Sequence, residues 1–457
     1  MATIDVTHWQ ERLDALADKH GIVGATLAIS QDGAVAAAAT GVLNVRTGHA
    51  ATPECVFQIG SITKVFTATL VMQLVDEGLV DLDAPVVTYL PDFRVRDEET
   101  SRTVTTRNLL AHTSGIDGDL FLDTGRGDDA VEKYVAAMAD VAQNHPLGAT
   151  MSYCNSGYIV LGRLIEVLRG GTWDAVMHER VFAPLGLTSA GTLPEEALLH
   201  GAATGHLQPP GAPEPVVTPQ WGIYRSCGPA GLIHMTAAEL LAFARLHLAG
   251  GATADGTRVV SAASARAMLE PQVAVPDPWT LGSHWGLGWI LMQWDGREVY
   301  GHDGATLGQG AFMRVLPDRD LAVGLICNGG KMRELFTDLF VEVFAELGEC
   351  AMPRPPEPVE EPPAYDGGKY LGRYSRESVT MDVSEGAGGL VLTITSSGPL
   401  AETMPQEPQV LTLTPYEPDI FLARMPEATS YMPVVFFTID DGTRYLHFGA
   451  RSTPRRG

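Results

Sequence analysis

The sequence is organised around the stretch FQIGSITK, residues 57–64. Apolar residues recur at helical spacing over 65–75, and Gly78 is a typical end signal, so a helix is predicted that begins at Ser61. Residues three positions apart share one face of a helix, with Cβ atoms about 5–6 Å apart. The amine of Lys64 is therefore predicted to reach the hydroxyl of Ser61.

This pair has the chemistry of an activated nucleophile. A serine hydroxyl attacks a carbonyl only when a neighbouring group accepts its proton, and a desolvated lysine can accept it or tune another acceptor. Ser-x-x-Lys alone is common by chance, but only five lysines occur in the chain, and only Lys64 has a serine three residues earlier. Ser61 is thus a candidate nucleophile, and an ordinary helix start is the alternative.

The second element is Tyr153-Cys154-Asn155, the only Tyr-x-Asn of the chain, which precedes a run with helical apolar spacing. A tyrosine near a cation can lose its proton below its free pKa of about 10. Tyr153 is then a candidate general base for Ser61 and general acid for the leaving group. Asn155 is predicted to hold a substrate amide and to orient Lys64. The alternative is a packed tyrosine with Asn155 as a helix cap.

The third element is GHDGA, residues 301–305, after a strand-like run. Glycine lets a backbone approach a substrate closely, so Gly304 is a candidate substrate contact. The backbone N–H groups of Ala305 and Ser61 could form an oxyanion hole. His302 is predicted to face the site as a donor or proton partner. The alternative is a glycine-rich turn at the end of a strand.

In their order and spacing the three elements resemble the penicillin-binding-protein and class C β-lactamase superfamily of serine hydrolases. The segments LLAHTSG (109–115) and GPAGL (228–232) resemble it too, and the similarity extends over about residues 8–350. It implies an acyl-enzyme on Ser61 and a structural role for His112. Where β-lactamases carry Lys-Thr-Gly this chain has His302-Asp303-Gly304, which is more typical of the family's esterases, D-aminopeptidases and peptide-handling members. The missing lysine argues against binding of a β-lactam carboxylate and therefore against genuine β-lactamase activity.

The predicted fold class is α+β. Strands are predicted at both ends of the first 350 residues, over 25–30, 35–40, 285–294, 297–300, 311–316 and 321–327. Helices predicted over 9–19 and 335–347 would cover one antiparallel sheet, with a mainly helical insert between the two groups of strands. The resemblance implies the same β-lactamase-like arrangement.

A proline-rich stretch divides the chain. Six of the eleven residues over 353–363 are proline, which predicts a stiff, extended linker. The predicted domains are a catalytic domain (1–350), a linker (351–365) and a C-terminal domain (366–457). Six short alternating runs, over 379–383, 390–396, 410–414, 420–425, 434–439 and 445–448, predict a small all-β barrel or sandwich. The resemblance implies a lipocalin-like barrel.

Composition narrows the possible partners. The formal net charge is −24, which argues against nucleic acid and against an anionic membrane surface. Five widely spaced cysteines without a Cys-x-x-Cys motif indicate reduced thiols. The sequence has no His-Glu-x-x-His motif that would indicate a metal site, so no cofactor is expected. The first residues lack an export signal, and we expect a cytoplasmic protein without a membrane span. The acidic segment 117–129 is interpreted as a solvated loop, with substrate contact as the alternative.

A cytoplasmic chain of this length with such a barrel resembles the penicillin-binding-protein-type thioesterases of nonribosomal peptide assembly. The resemblance implies a stand-alone enzyme that takes a peptidyl thioester, with a D-residue at its acyl end, from a carrier protein. The peptide would be released as a head-to-tail ring through an acyl-Ser61. A cytoplasmic esterase or D-stereospecific amidase is one alternative. A non-catalytic binding module is another, although intact motifs argue against it.

Three further side chains are candidate substrate contacts. Arg451 follows the last predicted strand, and its guanidinium suits a carboxylate such as the end of a peptide. The alternative is an exposed arginine near the chain end. Trp221 and Tyr224 lie in a predicted loop and would line the site, or else belong to the core.

Overall fold

The computed structural model describes residues 4–209, 212, 214–397, 407–426 and 428–456. The α-helices among them are α1 Val6–His20, α2 Thr63–Asp76, α3 Glu98–Thr103, α4 Thr106–Leu110, α5 Ala130–Ala136, α6 Asn155–Arg169, α7 Trp173–Met177, α8 Ala183–Leu185, α9 Pro194–Ala197, α10 Gly228–Gly231, α11 Ala237–Leu248, α12 Ala262–Ala267, α13 Pro278–Leu281 and α14 Met332–Glu346. Short 3₁₀ or π turns occupy Gly60–Ile62, Val86–Thr88, Ala137–Asp140, His178–Phe182, Arg225–Cys227, Pro317–Arg319 and Gly367–Lys369.

The strands are β1 Gly24–Gln31, β2 Ala34–Asn44, β3 His49–Ala50, β4 Phe57–Gln58, β5 His206–Leu207, β6 Val216–Val217, β7 His234–Met235, β8 Val273–Ala274, β9 His284–Trp285, β10 Ile290–Trp294, β11 Arg297–Thr306, β12 Gln309–Leu316, β13 Leu321–Cys327, β14 Gly372–Arg376, β15 Val379–Gly386, β16 Gly389–Ser396, β17 Gln409–Glu417, β18 Ile420–Ala423, β19 Met432–Thr438, β20 Arg444–Phe448 and β21 Arg451–Pro454. β4 pairs with β7 and β5 with β6 as two small separate ribbons.

One nine-stranded sheet joins the two ends of the first 350 residues. Its order is β3-β2-β1-β13-β12-β11-β10-β9-β8, and β1 pairs antiparallel with β13 so that Ala25 lies opposite Cys327. Leu13 of α1 and Phe340 of α14 are buried with one face of the sheet. The helical insert packs on the other face, where α2 is buried almost throughout. The predicted sheet with covering helices and a helical insert is confirmed.

Two details of the predicted sheet are wrong. The run predicted as one strand over 285–294 is split into β9 and β10, because the chain turns at Gly288, whose φ is +94°. A Cβ there would lie 2.8 Å from the side chain of Ala68. The strand that begins at Arg297 continues to Thr306, so residues 301–305 lie inside β11 and are not a turn at its end.

The C-terminal sheet has eight antiparallel strands in sequence order, β14 to β21. Its two edges meet where Tyr374 bridges to Arg455 and where the N–H of Arg456 donates to the carbonyl oxygen of Arg373 over 2.7 Å. The sheet is therefore a nearly closed barrel, filled by its own apolar core. An all-β barrel was predicted and is confirmed, although only six of its eight strands were predicted.

The barrel docks on the segment that leads to Tyr153. Ser452 donates from its N–H to the hydroxyl of Ser152 over 3.2 Å and from its own hydroxyl to the carbonyl oxygen of Met151 over 2.8 Å. Residues 351–366 contain no helix or strand, and the three-part domain division stays a prediction. No helix in the described part of the chain combines the length and apolar character needed to cross a membrane.

Candidate active site

Ser61 and Lys64 lie side by side, as their spacing predicted. Ser61 is the middle residue of the 3₁₀ turn that runs into α2. Nζ of Lys64 lies 3.1 Å from Oγ of Ser61 and 2.7 Å from the carbonyl oxygen of Ala230, to which it donates. The lysine side chain is fully buried. Ser61 is partly exposed at the floor of a cavity.

Burial changes the protonation of Lys64. Loss of water around the amine, with a smaller contribution from the positive charge of Arg451, lowers the pKa of Lys64 to about 7. A large share of the amine is then neutral near pH 7. A neutral amine has two N–H donors and one lone pair. With one donor on the carbonyl oxygen of Ala230, the lone pair is available to accept the proton of Ser61.

Tyr153 lies beside two basic side chains. Nζ of Lys64 is 4.9 Å from the ring centroid and Cζ of Arg451 is 5.1 Å from it. Even so, burial raises the pKa of Tyr153, outweighing the lowering effects of Ser61 and Arg451. The prediction of a depressed tyrosine pKa is therefore wrong. Tyr153 keeps its proton, and its buried hydroxyl lies beside the side chain of Ser61.

His302 lies in β11 behind Tyr153 and lines the same cavity. Its Nδ1 is 2.6 Å from the carbonyl oxygen of Asp303. Because a carbonyl only accepts, Nδ1 carries the proton. Burial, and then the charge of Lys64, lower the pKa of His302 to about 3, so the ring is neutral and Nε2 is an acceptor. His302 was predicted to be a hydrogen-bond donor or a proton partner. The donor role is wrong, because Nε2 carries no proton in this tautomer.

The two predicted oxyanion-hole residues meet across a close backbone contact. A Cβ at Gly304 would lie 1.8 Å from the carbonyl oxygen of Ile59 and 3.0 Å from the N–H nitrogen of Ser61. A Cβ at Gly60 would lie 2.5 Å from the nitrogen of Ala305. Only glycine permits this approach at either position. β11 and the turn of Ser61 thus bring the backbone around Ala305 close to the backbone around Ser61.

Asn155 begins α6 and makes no hydrogen bond with Lys64, contrary to its predicted orienting role. Its Nδ2 donates to Oδ1 of Asp119 over 3.2 Å. Arg451 donates to both oxygens of the same carboxylate, from Nη2 over 2.8 Å and from Nε over 3.0 Å. Arg376, also from the barrel, donates to Oδ2 over 2.8 Å. Asp119 thus connects the Tyr-x-Asn element to two barrel arginines.

This network corrects two sequence interpretations. The side chain of Arg451 is only 23% exposed and lines the cavity, so it is not an exposed arginine near the chain end. Its guanidinium already binds the protein's own carboxylate, and a role in holding the end of a peptide stays a prediction. The segment 117–129 is not simply a solvated loop, because Asp117 is buried and Asp119 nearly so.

A cavity of about 880 Å³ opens above Ser61. The loop 117–129, β11, β12, α14 and the barrel all contribute to its wall. Its larger apolar lining residues are Leu120, Phe121, Ile223, Leu281, Trp285, Ile290, Phe312 and Met332. Gly304 lines it as predicted. Trp221 and Tyr224 do not: the indole N–H of Trp221 donates to the carbonyl oxygen of Ala203, and Ile223 is the loop residue that faces the cavity.

Comparison with known sequences decides the family. The sequence model described as Beta-lactamase matches residues 9–346. The chain belongs to the β-lactamase family. It is accordingly a serine acyl-transfer enzyme of the β-lactamase and penicillin-binding-protein type.

Individual members of the β-lactamase family match most of the chain. "Penicillin-binding protein 4" of Amycolatopsis lactamdurans is 49% identical over 82% of this chain and 98% of its own length. The crystal structure of SurE matches 99% of both chains, with a TM-score of 0.77 and 30% identity, and a SurE structure with D-Leu has a TM-score of 0.75 at 31% identity. A D-amino acid amidase from Ochrobactrum anthropi SV3 is 25% identical over 71% of this chain and 92% of its own, with a TM-score of 0.59.

Sequence reasoning missed two residues at the centre of the site. Asp119 is one of five aspartates within 117–129, and nothing local distinguishes it from the solvated ones. Ala230 acts through its backbone oxygen, which no side-chain pattern indicates. Its position in GPAGL, already noted as similar to the family, was the available signal for Ala230.

Proposed function

We propose that this protein is a stand-alone thioesterase that releases a nonribosomal peptide by macrocyclisation through an acyl-Ser61. The observation that carries the proposal is a buried Lys64 with a pKa of about 7, in contact with Ser61 at the floor of a cavity whose wall includes the barrel. The expected substrate is a peptidyl thioester with a D-residue at its acyl end, delivered by a carrier protein in the cytoplasm.

The acylation step follows from the geometry. Neutral Lys64 takes the proton of Ser61 as Oγ attacks the thioester carbon, and the backbone N–H groups of Ser61 and Ala305 stabilise the developing oxyanion. Collapse of this intermediate breaks the carbon–sulfur bond. The leaving thiolate receives the proton from the Lys64 ammonium, directly or through the hydroxyl of Tyr153, which yields acyl-Ser61 and a free thiol.

Release of the product repeats the proton movements in reverse. The free amine of the peptide attacks the acyl carbon and passes its proton to Lys64, directly or through the hydroxyl of Tyr153. The carbon–oxygen bond to Ser61 then breaks, and Oγ recovers a proton. Attack by water at the same stage would give a linear acid. The choice between ring closure and hydrolysis therefore depends on which nucleophile the cavity admits.

Two observations support a peptide with a D-residue. The cavity is large, and its apolar lining suits the side chains of a peptide better than a small ester. The similarity to SurE includes the barrel, which supplies Ala428, Ala450 and Arg451 to the cavity wall, and one of the SurE structures contains D-Leu.

A cytoplasmic esterase or D-stereospecific amidase is the second candidate. It is favoured by the similarity to the D-amino acid amidase, which covers the catalytic part of the chain. The chemistry is identical as far as acyl-Ser61, and the two functions differ only in the acceptor.

Product analysis separates the candidates. The enzyme is given a linear peptidyl thioester ending in a D-residue, its counterpart ending in the L-residue, and a small nitrophenyl ester, and the products are identified by mass spectrometry. A product 18 mass units lighter than the linear acid, formed from the D-peptide only, supports the cyclase. Linear acid from every donor supports the esterase, and no turnover of any donor contradicts both.

A further inference from the structure

The carboxylate of Asp119 receives hydrogen bonds from three side chains. Oδ1 accepts from Asn155 and Arg451, and Oδ2 accepts from Arg451 and Arg376. Its side chain is 11% exposed. Burial alone would raise the pKa of Asp119, but the two arginines outweigh it and lower the value to about 2. Asp119 is therefore ionised at neutral pH and can only accept hydrogen bonds.

Because the Asp119 carboxylate can only accept hydrogen bonds, it fixes the orientation of the Asn155 side-chain amide. The amide atom that faces Asp119 must be the nitrogen, since two acceptors would repel each other. The amide oxygen Oδ1 then faces away from Asp119, and it has no hydrogen-bond partner among the described residues, while Asn155 lines the cavity of Ser61. Lys64 does not bind this oxygen, because its amine contacts Ser61 and the carbonyl oxygen of Ala230.

We propose that Asp119 is a positioning residue that makes Asn155 an acceptor for an N–H of the substrate. On an aminoacyl donor the N–H nearest to the reacting carbonyl is that of the α-nitrogen, which joins the acyl residue to the rest of the peptide. The site would thus select N-acylated aminoacyl donors over acyl donors without this N–H. This inference rests on the proposed acylation of Ser61 and specifies the substrate class for that step.

The selection also depends on the barrel. Both arginines that hold Asp119 belong to it: Arg376 ends β14 and Arg451 begins β21. The same barrel turn accepts a hydrogen bond from the backbone of Tyr153, since the carbonyl oxygen of Ala450 lies 3.0 Å from that N–H. A docked barrel therefore fixes the direction of the Asn155 amide as well as the backbone of the tyrosine.

The test compares two matched acyl donors. One is the thioester of N-acetyl-D-leucine, and the other is its analogue with oxygen in place of the α-N–H. The rate constant of acylation per donor concentration is measured by quenching and intact-mass analysis. The wild-type protein should favour the N–H donor about tenfold or more, since the oxygen analogue loses the hydrogen bond and leaves the amide oxygen of Asn155 unpaired.

Variants assign this preference to the pair. Asn155→Ala should bring the ratio of the two rates close to one. Asp119→Asn should also reduce it, because an amide at 119 permits either orientation of Asn155, and Asp119→Glu should restore part of it. A residue with a merely structural role would slow both donors equally and leave the ratio unchanged.

Asp119→Asn leaves two buried arginines poorly compensated, so its fold is checked by circular dichroism and thermal unfolding. If it does not fold, Asp119→Asn/Arg376→Gln removes one anion and one cation together, and the same loss of preference is expected. A wild-type ratio near one, or an unchanged ratio in Asn155→Ala, would overturn the inference. Absence of any acylation of the wild-type protein would instead contradict the proposed function.

Discussion

Replacing Arg451, a barrel residue, by Gln tests how the barrel affects the pKa of Lys64, the general base. Lys64 and the Arg451 guanidinium lie 4.9 Å and 5.1 Å from the same ring centroid, so they are at most about 10 Å apart. Two like charges at that separation repel by about 1.7 kcal/mol at an effective dielectric constant of about 20. Since about 1.4 kcal/mol corresponds to one pKa unit, and 10 Å is the upper limit of the separation, the substitution should raise the pKa of Lys64 by at least about one unit.

The sign follows from the chemistry. Acylation requires neutral Lys64, so its rate should rise with pH through the lysine pKa and level off above it. The midpoint is expected near pH 7 in the wild-type protein and near pH 8 or above in Arg451→Gln. His302, with a pKa of about 3, and Tyr153, with a raised pKa, do not titrate in this range.

The assay is the burst of nitrophenol released on acylation, followed by stopped flow from pH 5.5 to 9.5. Arg451→Lys is the matched control: it keeps a positive charge near the ring, so its midpoint should stay closer to that of the wild-type protein. Equal midpoints for wild type and Arg451→Gln, or a downward shift, would refute the electrostatic account. The same account predicts that Lys64→Ala has no activity.

Three other substitutions test the site and the interface. Tyr153→Phe should slow acylation by about 10²–10⁴-fold, the range for a general acid or base, and a near-normal rate would remove it from the proton path. Gly304→Ala should lower the acylation rate by at least about 10²-fold, because its Cβ would displace β11 from the Ser61 turn. The control is Gly171→Ala, whose Cβ would have no contact below 3.9 Å. Similar acylation rates in the two variants would contradict the oxyanion hole. Arg376→Ala breaks a buried ion pair and should destabilise the protein by about 3–5 kcal/mol in denaturant unfolding. The control is Arg373→Ala, which removes an exposed ion pair and should not change the stability measurably. Equal effects of the two substitutions on stability would contradict the buried network.

Strong local patterns made much of the fold predictable. The strand predicted over 321–327 is β13, and the helix predicted over 9–19 lies inside α1, because continuous or periodic apolar residues determine both. β14 and β21 were missed because their sequences, GRYSR and RSTP, are polar and lack an apolar alternation. Closure of the barrel, which comes from pairing between chain-distant strands, holds these two in place.

The site was predictable where chemistry depends on one short segment. Ser61 and Lys64 are one helical turn apart, so their contact follows from helix geometry. The pKa of Tyr153 was mispredicted because burial, which a local motif does not report, outweighs the lowering effects of Ser61 and Arg451. Asp119 and Arg451 are 332 residues apart in sequence, and only the docking of the barrel brings them together.

The most direct test of the central claim is to locate the acyl group. The protein is mixed with a peptidyl thioester ending in a D-residue, quenched in acid within seconds, and examined by intact-mass analysis and peptide mapping. The wild-type protein should gain the mass of the peptidyl group on the peptide that contains Ser61. Ser61→Ala should gain no mass, and its thermal unfolding temperature should equal that of the wild-type protein. An adduct of the same mass on Ser61→Ala, or one that maps to another residue in the wild-type protein, would contradict the account.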